Sequence, residues 1–251
     1  MMDLTSKTIL ITGAARGIGA SAANICSRAG ATVILHASGP SDAAEKAAAG
    51  ARQKMDDFLF EDFSTDGAGF RLFERALKKA GAIDGVVNNA GAFTPSPLSG
   101  DINEWNDGWT RAMSVNVQAP ADICRAAIEH FRESSAGGTI INVASRAGHR
   151  GDGVENAAYA ASKGAVLAMT KTWARGLASE GILLYAIAPG WVETRMAPQD
   201  IAAREAAVTE IPLGRVAQPG EVAEMIAFLL SGACPSATGA TFDINGASYV
   251  R

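Results

Sequence analysis

Tyr159 and Lys163 are four residues apart in a segment with helical periodicity, so their side chains are expected on one face of a helix. A tyrosine is a poor acid–base group at neutral pH because its ordinary pKa is about 10. A neighbouring ammonium lowers that pKa by stabilising the phenolate. The pair is therefore a candidate proton donor and acceptor. A tyrosine and a lysine on a solvated helix face are also common, and the pair alone leaves both interpretations open.

A glycine cluster at residues 12–19 is the second candidate, and it reads Thr-Gly-Ala-Ala-Arg-Gly-Ile-Gly. Glycines let the chain turn sharply and approach a pyrophosphate, and a following helix presents its N-terminus to negative charge. The spacing is Gly-x3-Gly-x-Gly, unlike the Gly-x-Gly-x2-Gly of the commoner dinucleotide fingerprint. A glycine cluster can also be a simple turn, but its position between a strand and a helix favours a dinucleotide site.

Small polar residues follow two other strand-like runs. Ser145 comes after the run at 139–143, and the sequence Asn-Asn-Ala-Gly at 88–91 closes the run at 85–88. Open parallel sheets bind ligands beyond the carboxyl ends of their strands. A hydroxyl at a strand end is also an ordinary turn residue, so the prediction of a site rests on the coincidence of these motifs at one edge.

The elements that must position these residues alternate along the chain. Strand-like runs lie at 8–12, 32–36, 58–60, 85–88, 139–143, 183–188 and 241–244. Helix-like segments lie at 18–28, 43–53, 69–79, 109–132, 158–178 and 221–230. This order is typical of an α/β fold, a doubly wound parallel sheet with helices on both faces. No linker interrupts it, so residues 1–251 are expected to form a single domain.

Residues 191–220 break this regular alternation. The segment contains three prolines, Pro198, Pro212 and Pro219, which are too many for one uninterrupted helix. It is also too apolar for a linker. A mobile lid over the substrate cleft is the favoured interpretation. An ordered surface insertion without a gating role is the alternative.

Composition excludes several classes of protein. The 251 residues include 26 acidic and 22 basic side chains, a net charge of −4, which disfavours a broad basic surface for nucleic acid. The longest apolar stretches are far shorter than the roughly 20 residues of a membrane span, and the N-terminus lacks a signal-peptide pattern, so a cytoplasmic protein is expected. Cys26, Cys124 and Cys234 form no CxxC pair, so we expect buried thiols and no metal site.

Taken together and in this order, the motifs resemble the short-chain dehydrogenase/reductase family over essentially the whole chain, including its 3-oxoacyl-(acyl-carrier-protein) reductase-like members. The resemblance implies a Rossmann fold with seven parallel strands, a nicotinamide dinucleotide cofactor, and interconversion of a ketone and a secondary alcohol. It implies that Tyr159 exchanges a proton with the substrate oxygen while Lys163 lowers its pKa and holds the nicotinamide ribose. Ser145 would polarise the carbonyl, and Asn116 would anchor a water that passes protons to Lys163.

The resemblance also implies cofactor contacts along the same edge. The glycine loop would contribute Gly13, Ala15, Arg16, Gly17, Ile18 and Gly19. Later strand ends would contribute His36, Ser38, Asp62, Phe63, Asn89, Ala90, Gly91, Pro189, Gly190, Val192 and Thr194, besides Tyr159 and Lys163. Asp62 resembles the residue that contacts the adenine, and Thr194 the hydroxyl contact of the nicotinamide carboxamide. No metal is implied.

The end of the second strand bears on the choice between NADP and NAD. An acidic residue there would bind the ribose 2′-hydroxyl and repel a 2′-phosphate. Ala37 takes that position, and no carboxylate follows until Asp42. Arg16 can pair with phosphate, and His36 and Ser38 can add hydrogen bonds. NADP(H) is favoured, with NAD(H) as the alternative because many NAD-using relatives carry a basic residue in the same loop.

The substrate and the assembly are less sharply indicated. The polar loop at 146–156 favours a hydrophilic or anionic carbonyl compound, although a solvated surface loop explains the same residues. We expect a small-molecule carbonyl or alcohol substrate and a homotetramer or homodimer, with no nucleic-acid or membrane partner. A regulatory cofactor-binding protein and a structural oligomer subunit are the non-catalytic alternatives, and neither has a chemical need for all four proposed catalytic residues.

Overall fold

The computed structural model describes residues 2–52 and 54–251, and its centre is a parallel sheet. The strands of this part of the chain are β1 (Thr8–Ile11), β2 (Thr32–Ala37), β3 (Phe58–Phe60), β4 (Gly85–Asn88), β5 (Gly138–Val143), β6 (Ile182–Pro189) and β7 (Thr241–Ile244). They pair in the order β3-β2-β1-β4-β5-β6-β7, and every neighbouring pair is parallel. The aliphatic residues of β1, β2, β4, β5 and β6 are mostly buried, as helix-covered parallel strands require, whereas the edge strand β7 is only partly buried.

Helices cover both faces of the sheet. They are α1 (Gly17–Arg28), α2 (Asp42–Gly50), α3 (Ala68–Ala80), α4 (Ile102–Met113), α5 (Ala119–Ser134), α6 (Ala147–Arg150), α7 (Ala157–Leu177), α8 (Ile201–Thr209) and α9 (Pro219–Leu230). One apolar core joins the sheet to α1, α2 and α9, and a second joins it to α3, α5 and α7. The predicted doubly wound α/β fold with seven parallel strands is confirmed.

The helix predicted over 109–132 begins earlier and is interrupted. Regular α-helix from Ile102 gives way to a π-helical segment at Ser114–Gln118, and α5 then starts at Ala119. Pro120, in the first turn of α5, has no N–H to donate to the carbonyl of Asn116 four residues earlier, so the regular ladder cannot continue through this point. The interruption falls at one of the proposed catalytic residues.

Three further expectations need correction. The helix predicted over 43–53 ends at Gly50, and position 53 lies outside the described residues. The segment taken as a loop at 146–156 contains the short helix α6. Cys234, expected to be buried, is exposed because it lies in the loop before a 3-10 turn at Pro235–Ala237, whereas the other two cysteines are buried.

The 191–220 segment contains one regular helix, α8, which starts where the Asp200 carboxylate accepts the N–H of Ala203. Its two ends are joined, since Val192 and Ala217 form a parallel bridge. No helix among the described residues is long and apolar enough to cross a membrane.

Candidate active site

A cavity of about 730 Å³ opens at the carboxyl edge of the sheet. It lies where the chain reverses its direction of travel across the sheet, between β1 and β4, the position at which open α/β sheets bind ligands. The glycine loop, the ends of β2 to β6 and the first part of the 191–220 segment all contribute to its wall.

Two glycines of the loop stand where the backbone conformation and the neighbouring atoms leave no room for a side chain. Gly13 has a φ of +64° and Gly17 a φ of +56°, in the left-handed region that favours glycine. A Cβ on Gly13 would lie 2.9 Å from the Cα of Ala90. This narrow cradle leads directly into the N-terminus of α1, where backbone N–H groups attract negative charge. The residues present therefore fit the pyrophosphate of a dinucleotide.

Hydrogen bonds clamp the glycine loop to the end of β4. The Thr12 hydroxyl accepts the N–H groups of Asn89 and Ala90, both at 3.0 Å. The Asn89 amide donates to the carbonyls of Thr12 and Gly13 at 2.9 and 3.2 Å. Gly19 lies behind this loop: a Cβ there would fall well inside contact distance of the Gly13 carbonyl oxygen. Gly19 thus shapes the loop from behind and does not line the cavity.

His36 forms part of the wall beside Asp62 and Phe63. Its Nδ1 accepts the N–H of Gly13 at 3.3 Å, and its Nε2 lies 3.0 Å from the carbonyl oxygen of Glu61. These partners select the neutral ring with the proton on Nε2, and burial lowers the pKa of His36 to about 4. The ring stacks on Phe63 at 4.3 Å between centroids. Contrary to the prediction, His36 has no free ring nitrogen for a cofactor phosphate.

The buried His36 makes stability sensitive to acid. Its folded-state pKa of about 4 is below the ordinary value of 6.5, so the unfolded chain takes up this proton first as the pH falls. We expect His36 to cost up to roughly 3 kcal/mol of unfolding free energy between pH 6.5 and pH 4. Urea unfolding at pH 7.5 and pH 4.5 measures this loss. The loss should shrink in His36→Gln, and an equal loss in both proteins would contradict the assignment.

Tyr159, Ser145 and Lys163 meet at the inner end of the cavity. The Tyr159 hydroxyl is hydrogen-bonded to the Ser145 side chain, and Phe93 packs edge-on against the Tyr159 ring at 4.8 Å. Lys163 is one turn further along α7, with its Nζ 5.8 Å from the centre of that ring. The same Nζ donates to the carbonyl of Val143 at 2.9 Å. Two helix residues and one strand-end residue thus form a single polar cluster.

The pKa of Tyr159 departs from the prediction. Burial raises it, and the hydrogen bond from Ser145 acts in the opposite direction. The ammonium of Lys163 is directed to the Val143 carbonyl, and burial lowers the pKa of Lys163 to about 8. Tyr159 is therefore a protonated phenol at neutral pH, the form that can donate a proton.

Asn116 is buried beside this cluster and holds the segment after β4. Its Oδ1 accepts the N–H of Ala92 at 2.7 Å, and its Nδ2 donates to the Ala92 carbonyl at 2.9 Å and to the Ser162 hydroxyl at 3.0 Å. A Cβ on Gly91 would lie 3.4 Å from Asn116 Oδ1 and 3.5 Å from Lys163 Nζ. Asn116 is thus close to Lys163, but its side chain is committed to backbone and serine partners.

The structure brings nearly all the proposed site residues together. The cavity wall includes Gly13, Ala15, Arg16, Gly17, Ile18, His36, Ser38, Asp62, Phe63, Asn89, Ala90, Gly91, Ser145, Tyr159, Lys163, Pro189, Gly190, Val192 and Thr194. Gly19 and Asn116 lie just behind it. Thr194 also contacts the glycine loop, because its Cγ2 lies only 2.9 Å from where a Cβ on Gly17 would be.

Sequence reasoning left several wall residues out of the proposed site. Phe93, Arg111, Arg146 and Arg150 line the cavity as well. Phe93 follows the Asn-Asn-Ala-Gly motif by two residues, and that closeness was the available signal. Arg111 carries no such signal, since exposed arginines are common on any surface. Arg146 and Arg150 belong to the polar loop at 146–156, whose composition already favoured a hydrophilic or anionic substrate.

Comparisons with known proteins agree with this geometry. A sequence profile for the family described as enoyl-(acyl carrier protein) reductase matches residues 13–247. The chain is 36% identical over 249 residues to a 3-oxoacyl-(acyl-carrier-protein) reductase of Thermotoga maritima, with 98% of each chain covered. It is 33% identical over 249 residues to a cis-4-hydroxycyclohexanecarboxylate dehydrogenase of Sinomonas cyclohexanicum, covering 96% of this chain and 95% of the relative.

A solved structure matches over the full length. The crystal structure of a short-chain type dehydrogenase/reductase from Mycobacterium marinum superposes with a TM-score of 0.88 at 30% sequence identity. The match covers 100% of this chain and 98% of that chain.

Proposed function

Because the chain belongs to the short-chain dehydrogenase/reductase family, we propose that it is an NADP(H)-dependent oxidoreductase that interconverts a ketone and a secondary alcohol. The observation that carries the proposal is the meeting of Ser145, Tyr159 and Lys163 at the inner end of the cavity, beside the glycine cradle. A regulatory or structural protein has no use for a buried lysine next to a protonated phenol, so this cluster favours an enzyme.

The cavity wall offers a dinucleotide a continuous set of partners. The N–H groups after Gly13 would hold the pyrophosphate, Asp62 and Phe63 would border the adenine, and Thr194 would contact the nicotinamide end. The bound nicotinamide supplies or accepts the hydride. The protein contributes orientation, removal of water and proton transfer.

Proton transfer is assigned to the cluster in the direction of carbonyl reduction. The Ser145 hydroxyl donates a hydrogen bond to the carbonyl oxygen and polarises it. The Tyr159 phenol then gives its proton to that oxygen as negative charge develops there, which completes the alcohol. We assign to Lys163 the stabilisation of the phenolate that remains, as its ammonium is the nearest cation of the cluster, 5.8 Å from the ring centre. Alcohol oxidation uses the same groups in reverse.

The wall beyond β2 supports NADP(H) over NAD(H). Ser38 and the three residues that follow it line this part of the cavity, and none of them is acidic. The neighbouring carboxylate, Glu61, is held by Arg71 at 2.8 Å and by Arg75 at 3.1 Å. Arg16 is exposed at the cavity mouth and has no ion pair among the described residues. This arrangement leaves a cation available for a 2′-phosphate, and the negative charge of Glu61 is offset by two arginines.

Cofactor preference is tested with one arginine variant. We expect a higher kcat/KM with NADPH than with NADH, and Arg16→Ala should lower the NADPH value about tenfold while leaving the NADH value nearly unchanged. Steady-state rates of nicotinamide absorbance change measure both. Arg28→Ala, an exposed arginine at the opposite end of α1, is the matched control. An NADH preference in the unmodified protein would rule out the assignment.

The substrate class, the oligomeric state and the location are proposed from the family. Both curated relatives described above are named for reactions at a ketone or secondary alcohol carbon, and we propose a substrate of that kind: a 3-oxoacyl thioester, or a sugar or polyol. We propose further that residues 1–251 act as one domain, that the 191–220 segment is a lid, and that the chain forms a homotetramer or homodimer through α4, α5 and α7. A cytoplasmic location stays a prediction.

A further inference from the structure

Arg146, the residue after Ser145, places a buried guanidinium in the cavity wall. Its side chain is only 5% exposed, and its Nη1 has no hydrogen-bond partner. The guanidinium carbon lies 6.0 Å from the centre of the Trp191 ring, which also lines the cavity. Burying a charged donor without a partner costs free energy, so such a group is expected to have one in the functional state.

A second arginine raises the positive charge at the same place. Arg150, one turn further along α6, lines the cavity too. Both guanidiniums share a single oxygen of Glu210, at 3.4 Å from Arg146 Nη2 and 3.2 Å from Arg150 Nη2. Glu210 ends α8 of the 191–220 segment, and its side chain is 54% exposed. Two cations thus face one carboxylate at long distances, and a positive charge is left over.

Asp152, an acid of the cavity wall, does not remove the excess charge. It acts on Arg146 only through space. The pKa of Arg146 is lowered, first by burial and then by the charge of Arg150. Arg195 is a further cation of the cavity wall.

We propose that Arg146 and Arg150 bind a carboxylate carried by the substrate, and that Glu210, which does not line the cavity, pairs with them while the substrate is absent. The inference rests on the proposed function, because the bound molecule is the one whose carbonyl faces Tyr159. Arg146 directly follows Ser145, so the carboxylate lies a few bonds from the ketone, and the substrate is an oxo acid or the corresponding hydroxy acid. Guanidinium groups suit this role because they grip a carboxylate through paired N–H groups.

A series of oxo acids and their methyl esters tests the proposal: 3-oxobutanoate, 4-oxopentanoate and 5-oxohexanoate. The ester keeps the ketone and removes the charge. We expect kcat/KM to favour the acid over its ester by about tenfold or more for at least one chain length. Arg146→Gln and Arg150→Gln should abolish this preference by raising KM for the acid far more than KM for the ester. Arg150 is partly exposed, so its variant retains the test if Arg146→Gln does not fold.

The Glu210→Gln variant shows whether the two arginines bind substrate or only hold the 191–220 segment in place through Glu210. If Glu210 competes with the substrate, its neutral variant binds the acid several-fold more tightly and leaves the ester unaffected. If the two arginines only fasten the segment, Glu210→Gln and Arg150→Gln change acid and ester alike, and the proposal is wrong. Arg132→Gln is the matched control, because it breaks an exposed pair with Glu180 outside the cavity.

Calorimetric binding to the Tyr159→Phe variant with bound NADP⁺ distinguishes failure of this inference from failure of the proposed function. Preferential binding of the acid without turnover in the unmodified protein would refute the proposed function and support the carboxylate site. Turnover with equal kcat/KM for the acid and the ester would support the proposed function and refute the carboxylate site. Absence of both binding and turnover for all six compounds would overturn the carboxylate site.

Discussion

Replacing Tyr159 with phenylalanine is expected to lower kcat for carbonyl reduction by about three orders of magnitude, the scale of a lost general acid. The phenol holds a transferable proton at neutral pH, because burial raises its pKa. Phenylalanine keeps the ring and its edge-on contact with Phe93. Cofactor binding should therefore persist, and the loss should appear in kcat measured by nicotinamide absorbance, with cofactor affinity measured separately by calorimetry.

Tyr249→Phe is the matched control for this variant. Tyr249 stacks on His149 at 5.8 Å and does not line the main cavity. Removing its hydroxyl should leave kcat within about twofold, the scale of a surface change. Turnover by Tyr159→Phe at the rate of the unmodified protein would refute the assigned role.

The second large effect is expected at Gly19. A Cβ there would lie 2.5 Å from Asn89 Nδ2 and even closer to the Gly13 carbonyl oxygen. Both atoms belong to the clamp that holds the glycine loop, so Gly19→Ala must push α1 away from it. We expect a loss of about 1–3 kcal/mol of unfolding free energy, typical of overpacking. The affinity for NADP⁺ should fall at least about tenfold, since the N–H groups that hold the pyrophosphate move with the loop.

Gly176→Ala provides the comparison. Gly176 lies in α7, and nothing occupies the space within 4 Å of its missing Cβ. Alanine there should stabilise the helix by about 0.5–1 kcal/mol and leave cofactor affinity unchanged. Urea unfolding and calorimetric titration of both variants measure the difference. Equal behaviour of the two variants would show that Gly19 has no special packing role.

The fold and the cofactor edge were predictable because their signals are local. The β-branched runs identify the strands, and Gly13 and Gly17 occupy positions whose positive φ angles few other residues tolerate. Tyr159 and Lys163 are predictable as a pair because helical spacing alone puts them on one face. Each of these inferences needs only a few consecutive residues.

The features that sequence reasoning missed depend on partners distant in the chain. Arg146 meets Glu210 across 64 positions, and the Nε2 of His36 is committed to the carbonyl of Glu61, just after β3. The direction of the Tyr159 pKa shift depends on how deeply the fold buries the phenol, a quantity that spacing does not contain. The break in the helix at Asn116 could have been predicted from the sequence, because Pro120 lacks the N–H that would continue the helical hydrogen bonds.

The bridge between Val192 and Ala217 has a consequence for how this scaffold tolerates change. Because this bridge joins its two ends, the segment 193–216 is a closed loop outside the sheet. Doubling the length of such a flexible loop costs only about 0.6 kcal/mol of closure entropy. Within this stretch Thr194 contacts the glycine loop and Glu210 pairs with two arginines of the cavity wall. Insertions placed away from these two residues are therefore expected to leave the proton-transfer cluster and the dinucleotide cradle undisturbed, and such positions are where ligand choice can be altered with least effect on the chemistry.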